Sequence, residues 1–536
     1  MDVSRLTLAF RNYRPSLWSI SLGAILLLAV LLRLKGINNP LLDHPGWRQG
    51  DTGAIARNFA LLQYNPLYPQ TDYDGPPPNY VELELQIVPF LTATLYKVFG
   101  VHEVFGRIIT LCFSAWTIGV LAYFGRWLYA SSGAGLLAAL LFSIFPGSLY
   151  YGRTFMPDTT MVFFLTAALY ACARYLTEDT KLNWRAATRC SALLTLAFLA
   201  KPVALVAVLP IAALIFARYR NGQALRWPQL AVLCLIPVSV LTAYDNFEFS
   251  IAEWHWASGI TRLHVLPSLR ESLVNPHAFS LKWHYFVNAL GMLSHTMLGA
   301  VGFALLILGF VFPFGSRSPG LLRGWLVGAI LYAYIVVTVE RVDYYLYVFL
   351  PLAALSGAGF IMRLTAAFGG RAPSVAMRSG AGALAAIAFC LTLWQNRHEV
   401  SKYYLYSRSV YHSAIDLNKR LEPGALVVMG HYDPSVLYYI NRKGWQEDPY
   451  LWTAFNEQSA IRKGAKYFIA IEQNRFKKNA ELYAWMQRFP VMDPKAKWPV
   501  YQTQASRILP GAEARWRAFR RAERAGKLKP TAARKK

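Results

Sequence analysis

AATRCSALLTLAFLAKPVALVAVLPIAALIFA (Ala186–Ala217) decides how this chain is drawn. It is too long for one crossing, since about 30 Å of hydrocarbon needs only roughly 20 helical residues. Lys201 and Pro202 interrupt it. Proline ends or kinks a helix. A lysine between long apolar runs needs water or a partner. The stretch predicts two short helices that turn at Lys201.

Apolar windows of similar length recur on both sides. Spans are expected near 16–34, 104–124, 133–150, 157–176, 186–200, 202–217, 228–245, 289–313, 321–339, 344–362 and 379–396. The first is not followed by a small-residue cleavage pattern, and more spans come later, so a signal peptide is not expected. The 536 residues are 55% apolar and only 16% charged, and their mean hydropathy is +0.28. A soluble domain would carry more charge.

The net charge of +26 invites a nucleic-acid reading, but its distribution argues against one. Basic residues gather in short loops and in the tail after Arg507. With Arg5, Arg11 and Arg14 on the cytoplasmic side, four sets of loop residues fall inside with Arg126. They are Lys181, Arg185 and Arg189; Arg218, Arg220 and Arg226; Arg317 and Arg323; and Arg371 and Arg378. This obeys the positive-inside rule. Segment 85–99 is apolar but short. Counting it as a span would break the rule, so it is placed on the outer interface as an amphipathic helix.

The outer face then receives 35–103, 246–288 and everything after about 397. Within the last region, Ala425–Gly430 and Ala465–Ile471 read as strands. Ser435–Gly444 reads as a helix closed by glycine. The expected architecture is an all-α polytopic bundle, 1–396, with a small α/β domain at 397–510. A basic tail at 511–536 is either disordered or held by anionic headgroups. The five cysteines lie in apolar segments without metal or disulfide spacing. No internal repeat is visible.

Chemistry-bearing residues concentrate in the first outer loop. It reads DHPGWRQGDTGAIARNF (Asp43–Phe59) and then NPLYPQTDYDGPPPNYVELELQ (Asn65–Gln86). Asp51 reads as a helix N-cap, as a general base, or as both. Asp43 is its competitor. Glu82 and Glu84 would share a face in a strand, either as a substrate edge or as a solvated rim. His44, His255, His264, His277 and His284 lack metal spacing. No ligand set stands out, and the need for a divalent cation is open.

Three further stretches carry charge next to spans. In YYGRTFMPD (Tyr150–Asp158), Asp158 opens a span after Pro157, and Arg153 is an anchor or an anion ligand. Lys201 either snorkels to water or holds a lipid-linked phosphate. In ERVDYYLYVFLP (Glu340–Pro351), Arg341 could bind an anion and Asp343 could orient it. Tyr344 and Tyr345 would contact substrate or belong to an aromatic belt.

Five stretches form an ordered set: HPGWRQGDTGAIARNF, PNYVELELQIVPFLTATLYKVFGVHEVFGR, YYGRTFMPD, LAKPVALVAVLP and DYYLYVFLPLAALSGAG, across roughly 40–360. In these the chain resembles the polyprenyl-phosphate-dependent glycosyltransferases of the GT-C superfamily. It is most similar to bacterial proteins related to the aminoarabinose lipid A transferase and to protein O-mannosyltransferases. The resemblance implies a multi-pass protein of the bacterial plasma membrane. It implies an inverting transfer from a sugar on undecaprenyl phosphate to a glycolipid, polysaccharide or protein on the periplasmic face.

In that scheme Asp51 is the base and Asp158 supports the acceptor or a cation. Lys201, Arg48, Arg153 and Arg341 hold phosphate. Relatives carry Asp-Glu ahead of the Ile-Ala-Arg helix, where this chain has Arg48 and Gln49. They also often carry a lysine before the interfacial helix, where this chain has Pro76-Pro77-Pro78-Asn79. A lipid or solute transporter is the competing class. It predicts paired broken helices near the midplane, and only one broken pair is visible.

Overall fold

The computed structural model describes residues 16–179, 183–252, 259–368 and 375–525. Arg5, Arg11, Arg14, Lys181, His255, Arg371 and residues 526–536 of the basic tail lie outside them. The chain divides into two compact units. One comprises Met1–Ile37, Arg107–Asn246 and Gly259–Lys402; the other comprises Asn38–Gly106, Phe247–Ser258 and Tyr403–Lys536.

The first unit is helical. Its helices occupy all eleven expected windows, though not always as one straight rod. Among the described residues of the whole chain, six helices are long and apolar enough to cross a bilayer, or seven if one bent pair counts as a single span. The chain is therefore a multi-pass membrane protein. Many of its apolar side chains stay exposed, including Leu235, Ile236, Ile307, Val311, Val327 and Leu331. Hydrocarbon, not water, is the solvent that tolerates them.

The break at Lys201 is where the sequence placed it. Helix Trp184–Ala200 stops, Lys201 is extended, and a 3-10 turn Pro202–Ala207 leads into helix Val208–Arg220. The expected straight span at 289–313 is not found. Helices ending at Met297 and starting at Gly299 are bent by 115°. A π-turn over Leu293–Met297 and Gly299 at φ +70° make the corner. There Asn396 donates to the Ile144 carbonyl at 2.9 Å.

The second unit joins the first long loop to the C-terminal α/β domain. Four strands form its sheet: β1 (Leu426–Met429), β2 (Lys443–Gln446), β3 (Ala465–Ile469) and β4 (Val500–Gln502), in the order β2-β1-β3-β4. The first three run parallel and β4 is antiparallel to β3. Helices Pro434–Ile440 and Ala454–Arg462 make the crossovers. Strand β1 is apolar and buried (LVVM), as suits a central parallel strand.

One reading is corrected here. Gly444 does not close the helix that begins near Ser435. Asn441 closes it in the left-handed region, and Gly444 belongs to β2. It has φ +148°, and a Cβ there would lie 1.9 Å from the Val427 carbonyl oxygen. Periodicity over Ser435–Gly444 merged a short helix with a strand.

The first loop contributes helices Gly46–Leu61 and Ile87–Phe99. They pack through Ile55, Phe59, Val81 and Ala93. The loop is also stitched to β2: Gly75 N donates to Gly444 O at 2.8 Å, and Gly444 N donates to Asp72 O at 3.0 Å. Asp72 is the charged centre of this seam. It accepts from Arg57 at 2.5 Å, Asn58 at 3.0 Å and Lys443 at 3.2 Å. Burial alone would raise its pKa, but Arg57, Lys443 and Asn58 together hold it below the ordinary 3.8.

Asp72→Ala would leave Arg57 and Lys443 together without their counter-charge. The expected cost is about 3–5 kcal/mol, read as a lower melting temperature at pH 7. Because the folded pKa is depressed, the carboxylate's contribution is full above its unfolded value and disappears as pH falls through the lower folded one. The mutant and the parent should converge in acid. An unchanged melting temperature at pH 7 would remove Asp72 as the centre of the seam.

Candidate active-site residues in the two units

In the membrane unit the sequence-selected residues assemble. Asp158 is the first residue of helix Asp158–Glu178, following Pro157. Lys201 reaches it from the helix break, with Nζ 2.6 Å from Asp158 Oδ1. The two side chains are only 2% and 5% exposed, so Lys201 does not snorkel to water. Its ammonium also lies over the Tyr345 ring at 4.2 Å and the Tyr344 ring at 5.1 Å. That is a cation–π cage in addition to an ion pair. Asp158 Oδ2 has no hydrogen-bond partner among the described residues.

Asp343 opens the 3-10 turn Asp343–Val348 and accepts from the Tyr151 hydroxyl at 2.6 Å. Tyr151 in turn meets the Tyr344 ring edge-on. Arg341 is exposed, holds a left-handed backbone, and stacks on the Tyr285 ring at 3.8 Å. Arg153 is wholly buried. It donates to the Gly36 carbonyl at 3.2 Å and lies over Tyr150. A headgroup anchor would sit at the surface, so that reading fails.

Two buried arginines were not singled out from sequence. Arg107 also donates to Gly36 O. Arg33 donates to Ala29 O, Ser143 O and Ser148 Oγ. Their positions near helix ends made them look like ordinary interfacial charges.

In the second unit, Asp51 lies inside helix Gly46–Leu61, whose N-cap is Pro45. The N-cap reading is therefore wrong: the helix starts six residues earlier than the apolar pattern suggested. Asp51 is 4% exposed. Trp47 Nε1 donates to its Oδ2 at 2.8 Å, one helical turn away; Oδ1 has no close partner among the described residues, and the Tyr73 hydroxyl is a further donor toward the carboxylate. Burial pushes its pKa up to about 8; Arg48, Trp47 and Tyr73 pull it down, and Asp433 adds a small upward push. A carboxyl tuned to that range can accept a proton near neutral pH.

Asp43 is different. It is fully buried, with Oδ1 accepting from Gln49 at 2.7 Å and Oδ2 from Asn39 at 3.3 Å. It organises the turn before the helix. Glu84 is ion-paired with Arg48 and Glu82 is 7% exposed, so neither forms the solvated rim considered above. Trp47, Tyr73 and Asp433, which shape Asp51, carried no local signal of that role.

The histidines are dispersed. His44 stacks on Tyr403, His264 lies 3.6 Å from Glu340, and His284 pairs with Asn288. Among the described residues, no three His, Cys, Asp or Glu side chains gather as a metal site would require. All five cysteines are free.

Breaking one side of the Lys201–Asp158 pair should be costly. Lys201→Met would strand a buried carboxylate at about 3–5 kcal/mol, seen as a drop in melting temperature in detergent. Adding Asp158→Leu should recover most of it. A double variant no more stable than the single one would show that the two charges are not coupled.

The sequence pattern of the family described as "Dolichyl-phosphate-mannose-protein mannosyltransferase" matches residues 86–244. That segment contains Arg153, Asp158 and Lys201. No curated protein matches the chain. Among solved structures, ArnT from Cupriavidus metallidurans bound to undecaprenyl phosphate superposes with a TM-score of 0.58 at 13% identity, over 91% of this chain and 99% of that one. The apo state of the same protein gives 0.55 at 13% identity, over 91% and 98%. At such identity the likeness is one of fold. The family pattern lies across the central helices, and the likeness of fold to ArnT runs across nearly the whole length.

Proposed function

We propose that this protein is an inverting glycosyltransferase that moves a sugar from a polyprenyl phosphate, of the undecaprenyl kind, to a hydroxyl acceptor on the periplasmic face of a bacterial plasma membrane. The observation that carries the reading is Asp51. It is a buried carboxyl held on a helix by Trp47 with Tyr73 beside it, and burial pushes its pKa up to about 8. The ArnT fold, solved with undecaprenyl phosphate bound, supports the donor class. The N-terminus is assigned to the cytoplasm from the loop charges.

The reaction divides simply. The acceptor oxygen attacks the anomeric carbon and its proton passes to Asp51. The bond from that carbon to the phosphate oxygen breaks on the opposite side, and polyprenyl phosphate leaves with the electron pair. Cationic groups stabilise the charge that grows there. Arg341, exposed and braced on Tyr285, and Lys201, fixed by Asp158, are assigned to that phosphate. Arg48, next to Asp51, is assigned to an anionic group of the donor and to holding Glu84. Arg153 supports this role from within the fold. Glu82, Glu84, Asp343, Tyr344 and Tyr345 line the substrate surfaces.

Asp43, whose oxygens are engaged by Gln49 and Asn39, is a positioning residue. The proposed scheme is a catalytic region at 1–396 and an α/β region from 397. That region extends past 510, because helix Ala512–Arg524 packs on it through Trp516 against Trp485 and Glu513 against Arg488, so the expected disordered or headgroup-held tail does not begin at 511. The acceptor is a glycolipid, a polysaccharide or a protein.

The test is release of polyprenyl phosphate from a panel of polyprenyl-phosphate sugars by the purified full-length protein. Asp51→Asn should lower turnover by about 10²–10⁴-fold, and Asp43→Asn should act mainly through stability. In the parent enzyme kcat/KM should fall tenfold per pH unit below about 8, because the base must be deprotonated. Full activity in Asp51→Asn, or a flat profile from pH 6 to 9, would remove Asp51 as base.

A further inference from the structure

Trp47 and Tyr432 are each 39% exposed. Tyr438, Trp445 and Phe468 of the same unit are buried. The two rings meet edge-to-face at 5.1 Å with an interplanar angle of 78°. Trp47 stands on the first turn of helix Gly46–Leu61, and Tyr432 lies in the turn after β1. They meet because that helix has no side chains where it touches the turn. A Cβ on Gly50 would fall 2.5 Å from Ser435 Cα, and one on Gly46 would fall 3.2 Å from Asp433 Oδ2.

The place in the fold matters. The order β2-β1-β3-β4 has a switch point at β1, where chain connections leave to opposite sides. In open α/β sheets ligands bind at the carboxyl ends of the strands flanking such a point. Here those ends are bridged by His431 after β1 and Glu472 after β3, with Nδ1 and Oε1 2.7 Å apart. Both side chains are about 30% accessible (28% and 30%). So a partly exposed aromatic corner is next in the chain to a partly exposed imidazole–carboxylate pair, whose Glu472 also meets Arg475 at 3.5 Å, and the indole N–H of that corner is bonded to Asp51.

We propose that Trp47 and Tyr432 form a platform for a carbohydrate acceptor, with His431 and Glu472 as hydroxyl partners at its edge. The assignment rests on the reading of Asp51 as base. Sugar rings present C–H faces that pack on aromatic rings and hydroxyls that need hydrogen bonds. A site with both kinds of group fits them. A membrane anchor would surround the rings with aliphatic side chains. The chain neighbours of the two rings are Arg48 and His431 instead, paired with Glu84 and Glu472.

Saturation-transfer NMR on the full-length protein in detergent, with methyl α-mannoside and methyl β-glucoside as probes, tests the platform without turnover. At least one glycoside should receive saturation on its ring protons. Tyr432→Phe should keep the effect. Tyr432→Ala and Trp47→Leu should weaken binding about tenfold, the loss of one ring face, with melting temperatures recorded to exclude unfolding. Asp51→Asn should bind glycoside as the parent does yet fail in transfer. No saturation of either glycoside, or equal saturation in folded Tyr432→Ala and Trp47→Leu, overturns the platform. Active Asp51→Asn with an intact platform would overturn the base instead.

Discussion

A charge withdrawn from water must find a counter-charge, a dipole or a proton, and the two units meet that demand in different ways. In the membrane unit Lys201 is matched by Asp158 and by two tyrosine rings. Arg33, Arg107 and Arg153 are met by backbone carbonyls. The helix break at Lys201 exists where the pair forms, and the 3-10 turns at Pro202 and Asp343 lie beside it. In the second unit Asp72 is matched by Arg57 and Lys443, which fixes the helix that carries Asp51. Asp51 itself is matched only in part. It meets the demand by keeping its proton to higher pH.

Much of the membrane unit was legible because its signals are strong and local. Long apolar windows mark helices regardless of their partners, and Lys201-Pro202 marks a break. The bend at Gly299 was not legible. A single glycine in an apolar run is common, and only its left-handed backbone beside Asn396 makes it a corner. The α/β domain was legible in β1 and β3, whose residues are apolar and continuous. Strand β2 (KGWQ) is too short and polar to announce itself. It is a strand because it pairs with β1 and with the first loop.

The candidate residues show the same division. Asp158 and Lys201 stood out because ionisable groups beside apolar runs are rare, and they are indeed together. Asp51 and Asp43 could not be ranked from spacing, since both precede the same helix. Contacts distinguish them: Gln49 and Asn39 occupy Asp43, whereas among the described residues one oxygen of Asp51 has no close partner. Tyr432 and Asp433 lie far along the chain from Asp51. No pattern in one sequence connects residues that only tertiary packing brings close.

The seam between Gly75 and Gly444 bears on how this architecture can be divided. The trailing α/β portion and the long early loop share one set of backbone pairings, so neither is a detachable module. Grafting a foreign C-terminal domain onto this scaffold would strip the loop of its edge partner unless the loop travelled with it. Evolution faces the same coupling: the two segments, separated by most of the polypeptide, must diversify as a single heritable block.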